Sequence, residues 1–151
     1  MTNNPYQKYK NTQVETASQE KLLLMLYDGA IKFLKQAIKG VEENDYEAAN
    51  NYLVRTQDII HELMATLDME KGGEIARNLE SLYDYMNRRL IEANVNKDIE
   101  PMEEVRDMLA ELRETWQEAI KKVKQNKADQ PSKDETNKRP QNLSGGINIE
   151  G

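Results

Sequence analysis

Val14-Glu15-Thr16-Ala17-Ser18-Gln19-Glu20-Lys21-Leu22-Leu23-Leu24-Met25-Leu26-Tyr27-Asp28-Gly29-Ala30-Ile31 is the stretch on which the fold turns. Its first half carries helix-start chemistry. The Ser18 hydroxyl suits an N-cap, Glu20 suits the positive end of the helix dipole, and Thr16 with Gln19 forms an overlapping capping box. Its second half places six apolar or aromatic residues in a row, Leu22 to Tyr27. Six consecutive residues pass all the way round a helix, so this turn is apolar on every side. One face enters a core, and the other requires a separate cover.

The rest of the composition is helical. The chain has 151 residues, 32% of them charged, and no β-branched runs, which predicts one all-α domain. It contains no cysteine, which excludes a disulfide framework or thiolate metal site and implies a reducing compartment. No apolar run approaches the roughly 20 residues of a membrane span, and the N-terminus lacks a signal-peptide pattern. A cytoplasmic protein without membrane insertion is expected. The net charge of −6, without clustered Lys and Arg, argues against nucleic acid as a partner.

Apolar spacing outlines four helices. Helix one is expected over about Gln19 to Glu43, with a core stripe of Leu23, Leu26, Tyr27, Ala30, Leu34, Ala37 and Val41. Leu22, Leu24, Met25 and Ile31 fall off that stripe. Asn44 with Glu47 reads as a capping box for helix two, about Asp45 to Leu67, which buries Ala49, Tyr52, Leu53, Thr56, Ile60, Leu63 and Leu67. Gly72-Gly73 breaks the chain before helix three, about Glu74 to Asn94, with the stripe Ile75, Leu79, Leu82, Met86, Leu90 and Ala93. Arg89, beside this stripe, reads as a snorkelling stem or a paired charge. Helix four, about Ile99 to Gln125, carries Met102, Val105, Leu109, Leu112, Trp116, Ile120 and Val123. Its acids come early and its bases late, as the macrodipole favours.

Connections of a few residues predict an antiparallel, up-down-up-down four-helix bundle over 18–126. Before it, 1–17 form a short polar arm, where Pro5 suits a first helical position and Tyr6 and Tyr9 share one side. After it, 127–151 read as a disordered tail with little to bury beyond Leu143, Ile147 and Ile149.

Catalytic chemistry has little to build on. A di-iron bundle needs two Glu-x-x-His pairs, whereas this chain has one histidine, His61, in Asp58-x-x-His61. No nucleophile elbow or phosphate-binding glycine loop occurs. The expectation is a non-enzyme without cofactor or metal. His61 lies on roughly the far side of helix two from its stripe, so a histidine phosphotransfer-like signalling bundle is the alternative reading. The lysine and glycine usual after such a histidine are replaced here by Met64 and Ala65.

Several blocks together resemble the flagellar secretion chaperone FliS family. They are Asn4-Pro5-Tyr6 with Tyr9; Thr16-Ala17-Ser18 leading into Leu24-Met25-Leu26-Tyr27-Asp28-Gly29; Glu70-Lys71-Gly72-Gly73-Glu74-Ile75-Ala76; and Leu82-Tyr83-Asp84-Tyr85-Met86 through Arg89-Leu90 to Ala93-Asn94. The resemblance spans about Tyr6 to Val123. It departs at Gln19, where the family commonly has proline. It implies a cytoplasmic chaperone that binds the C-terminal region of flagellin, prevents premature polymerisation and delivers it to the flagellar type III export gate. Other flagellar regulatory proteins are further partners in that picture. Leu22, Leu24, Met25 and Ile31 then become candidate client surface, covered in the empty protein by Tyr6 and Tyr9. The same two tyrosines match, by position, an export-gate contact.

Overall fold

A computed structural model describes the backbone of residues 5–128 and the side chains of residues 19–126. Among these residues the secondary structure is entirely helical: α1 Pro5–Glu42, α2 Tyr46–Ala65, α3 Met69–Asn96 and α4 Ile99–Ala128. The chain divides into two compact units, Met1–Trp116 and Gln117–Gly151. The bundle core lies in the first.

Contacts at the helix ends define the topology. Gly40, near the end of α1, lies so close to the start of α2 that a Cβ there would stand 3.0 Å from the Ala49 nitrogen. Asn94, at the end of α3, donates to Asn50, at the start of α2. Arg89, late in α3, pairs with Glu104, early in α4. Each neighbouring pair is therefore antiparallel, giving the up-down-up-down four-helix bundle. Tyr27, Ala30, Leu34 and Ala37 of α1 meet Leu53, Ile60 and Leu63 of α2, Met86 and Leu90 of α3, and Met102, Val105 and Leu109 of α4 in one core. Leu23, Leu26, Val41, Leu112 and Trp116 are half-buried against it.

Several boundaries differ from those read in the sequence. Helical backbone begins at Pro5 rather than near Gln19, so Ser18 lies inside α1 instead of capping it. Nothing from Tyr6 to Ser18 is a glycine or a proline, so a helix nucleated downstream propagates through this polar stretch. Asp45 caps α2 by accepting from the Ala48 N–H, while Asn44 takes a left-handed φ of 60° in the connection. Asp68 likewise caps α3, accepting from the Glu70 and Lys71 N–H groups. The glycine pair kinks α3 rather than starting it: Gly73 has φ 54° and ψ −126° inside the helix, a conformation open essentially to glycine alone.

The buried stripe of α3 also differs. Ala76, Leu79, Tyr83, Met86, Leu90 and Ala93 face the core, while Ile75 is 70% exposed and Leu82 37% exposed. Both rows obey helical spacing through Leu79 and Met86. The row containing Tyr83 goes inward, where its hydroxyl meets that of Tyr27. On α4, Pro101 sits within the first turn, where the missing N–H has no helical partner to lose. Within the second unit, Ile120 is half-buried and Val123 is exposed, so the α4 stripe does not extend to Val123 as a buried row. The tail expected to be disordered lies, from residue 129 onward, outside the described residues.

A candidate binding groove at one end of the bundle

The apolar surplus of α1 opens onto a groove. Leu22, Leu23 and Leu26 form one wall, and Ile75, Ala76, Leu79 and Tyr83 of α3 form the other. Thr66, Leu67 and Asp68 close the end between α2 and α3, and Trp116 of α4 contributes an aromatic face. The enclosed volume is about 640 Å³, within the range of cavities that hold several side chains. The middle of α1, the end of α2 and the start of α3 meet here because alternate helices run in opposite directions.

Leu22 is 53% exposed and Met25, three residues on, 57% exposed. Leaving two such side chains half wet in an empty protein forgoes about half of the 1.5–3 kcal/mol that full burial of each contributes. Leu22 lines the groove, whereas Met25 stands outside its lining. Leu24 is half-buried, and Ile31 is half-buried against the core. The side chains of Tyr6 and Tyr9 lie outside the described residues. Ile75, Leu67, Tyr83 and Trp116 belong to the groove without having been singled out as a site. The block from Glu70 to Ala76, with its glycine pair, was the available signal, because Gly73 turns the chain just before Ile75.

The groove floor is organised by hydrogen bonds. Tyr27 and Tyr83 share one through their hydroxyls, and Trp116 Nε1 donates to the Tyr27 hydroxyl at 3.1 Å. Burial pushes both phenols above their ordinary pKa, because an ionised phenolate there would lose its water. The rim is acidic, with Glu20 and Asp68 beside the apolar walls. Away from the groove, Glu104 accepts from Tyr85 at 2.6 Å and from Arg89 at 2.7 Å. These two bonds lower the Glu104 pKa. Arg89 is thus a paired charge. His61 is exposed on α2. Among the described residues, no group of three His, Cys, Asp or Glu side chains could hold a metal ion. No helix there is long and apolar enough to cross a membrane.

An antiparallel bundle with an aliphatic and aromatic groove at one end presents apolar surface of the kind in which an amphipathic helix can lie. Residues 2–123 match the family model described as flagellar protein FliS. The chain is 38% identical over 117 residues to the flagellar secretion chaperone FliS of Bacillus subtilis, covering 78% of this chain and 86% of that one. It is 44% identical over 111 residues to the Salmonella typhimurium flagellar secretion chaperone FliS, covering 73% and 82%. To the Escherichia coli protein of that name it is 34% identical over 108 residues, covering 71% and 79%. The chain belongs to the FliS family of flagellar secretion chaperones, which are not enzymes.

Proposed function

We propose that this protein works in the cytoplasm, binds the C-terminal region of flagellin, keeps it from polymerising early and delivers it to the flagellar type III export gate. The observation that carries this reading is Leu22, more than half exposed at the wall of an apolar groove in a chain of the FliS family. A segment that assembles through apolar faces is kept apart by a protein offering competing apolar surface. Each Leu- or Met-sized side chain buried contributes about 1.5–3 kcal/mol, less the cost of ordering the client.

Leu22 and Met25, with Ile75 across the groove, form the client surface in this reading. Leu24 and Ile31 contribute where they remain half exposed. Residues 1–17 act as the cap of the empty groove, with Tyr6 and Tyr9 as its apolar contacts. A cap of this kind lowers apparent client affinity while shielding the empty protein from self-association. Tyr6 and Tyr9 also serve the export-gate contact.

Size-exclusion chromatography with monomeric flagellin tests the reading. A one-to-one complex that resists polymerisation is the expected result. Flagellin that forms filaments unhindered by an excess of this protein overturns it. Replacing Tyr6 and Tyr9 with alanine should impair export more than flagellin binding.

A further inference from the structure

Glu20 stands on an unexpected stripe for an acid. It lies three residues before Leu23 and seven before Tyr27, so helical spacing puts it on the face that carries Tyr27 into the core. One turn before Leu23 that face has run out of core and opens onto the groove, which Glu20 lines. In the first turn of a helix the dipole would explain the acid. However, α1 begins at Pro5, about four turns earlier. The favourable field of a helix start falls off within its first turn and does not reach Glu20.

Nor is the charge paired. Glu20 is half-buried and has no hydrogen-bond or ion-pair partner among the described residues. The other acid of the groove, Asp68, is exposed and already accepts from the Glu70 and Lys71 N–H groups. No Lys, Arg or His is among the side chains that line the groove. Apolar walls are therefore combined with a surplus of negative charge, and Glu20 holds the uncommitted oxygens. An ionised carboxylate only accepts, so what it requires has one sign.

Filling the groove takes water away from Glu20. Without a cation to replace that water, the loss opposes binding. We infer that Glu20 is a specificity-determining residue of the groove and forms an ion pair with a Lys or Arg side chain of the bound segment, an inference that rests on the client-binding reading above. The occupant is then an apolar segment with one basic side chain set against the α1 wall, beside Leu23. An acidic side chain at the same place is rejected by like charge and by its own lost hydration.

Calorimetry on the full chain and its Glu20→Gln variant tests this, with the C-terminal segment of flagellin as the probe. Asp68→Asn, which keeps the helix cap and drops the charge, is the control. Glu20→Gln is expected to weaken binding about fivefold at low salt, and the loss should shrink as ionic strength approaches about 1 M. Its melting temperature should move by less than about 3 °C, because no contact of the empty protein is removed. Asp68→Asn should change affinity by less than about twofold. Gln in place of each Lys or Arg of the segment identifies the partner, since Glu20→Gln costs nothing further against the peptide that lacks it. A penalty that persists against every such peptide overturns the pair. Equal losses in Glu20→Gln and Asp68→Asn also overturn it, because they report a general field. So does unchanged or tighter binding in Glu20→Gln, the tighter case being the mark of a covered charge left unpaired. In each of these outcomes the chaperone reading stands. If the unaltered chain does not bind the segment, both fall.

Discussion

Arg89 Nε donates to Glu104 Oε1 at 2.7 Å, joining α3 to α4 near the end of the bundle remote from the groove. Tyr85 donates to the other oxygen of the same carboxylate, and these bonds hold the Glu104 carboxyl below the usual range. A carboxyl whose pKa is depressed on folding stabilises the fold above its unfolded value, about 4.3, and loses that contribution as pH falls through the folded value. Glu104→Gln is therefore expected to melt lower than the unaltered chain at neutral pH. The gap should close below about pH 4. Thermal melts of both proteins across that interval check it. The effect is small, because the carboxylate is partly exposed and screened.

Alkaline stability depends on the groove floor. Burial raises the pKa of Tyr27 and Tyr83, so their contribution is complete below the unfolded value of about 10 and is lost as pH rises beyond it. Between about pH 9 and about pH 11, the Tyr27→Phe/Tyr83→Phe double variant should lose less stability than the unaltered chain. Urea midpoints measure this. Phenolate absorbance should show both residues missing from the titration of the folded protein.

Gly73→Ala tests the kink in α3. With φ 54° and ψ −126°, Gly73 occupies a region that a Cβ strains by about 1–3 kcal/mol, even though no atom stands within 4 Å of the added carbon. A lower urea midpoint with an unchanged slope is expected. A neutral effect would mean that the helix straightens through this position without cost.

Leu22→Asp/Met25→Asp should abolish flagellin binding while far-ultraviolet circular dichroism remains that of a helical bundle, because both side chains are more than half exposed. Ile75→Asp should weaken binding in the same way, from the opposite wall. Ile31→Asp should instead lower stability, since Ile31 packs against the core. Unfolding of the Leu22/Met25 variant would assign those residues to the core.

His61→Ala should leave both stability and client binding unchanged, as expected for an exposed residue on α2 without a structural partner among the described residues. Calorimetric titration with flagellin and a thermal melt check it. Transfer of a phosphoryl group to His61 from a donor protein would restore the signalling alternative.

Much of the fold was legible because helical burial leaves a periodic trace. Leu53, Ile60 and Leu63 of α2, and Met102, Val105 and Leu109 of α4, sit where their spacing puts them. The surplus at Leu22 and Met25 was legible too, since six apolar residues in a row exceed what one buried face accepts. Spacing could not choose between two rows on α3 that share Leu79 and Met86. That choice went to Tyr83 over Leu82 because the neighbouring helices provide Tyr27 and Trp116 at its hydroxyl end. Nor could spacing show that Ile75 would face Leu22 across a groove, because the Gly73 kink and antiparallel packing bring together side chains more than fifty positions apart. Local sequence determined which residues this protein can bury and where its helices run. The partners on other helices decided which of them are buried, because burial depends on what faces a side chain as well as on the side chain itself.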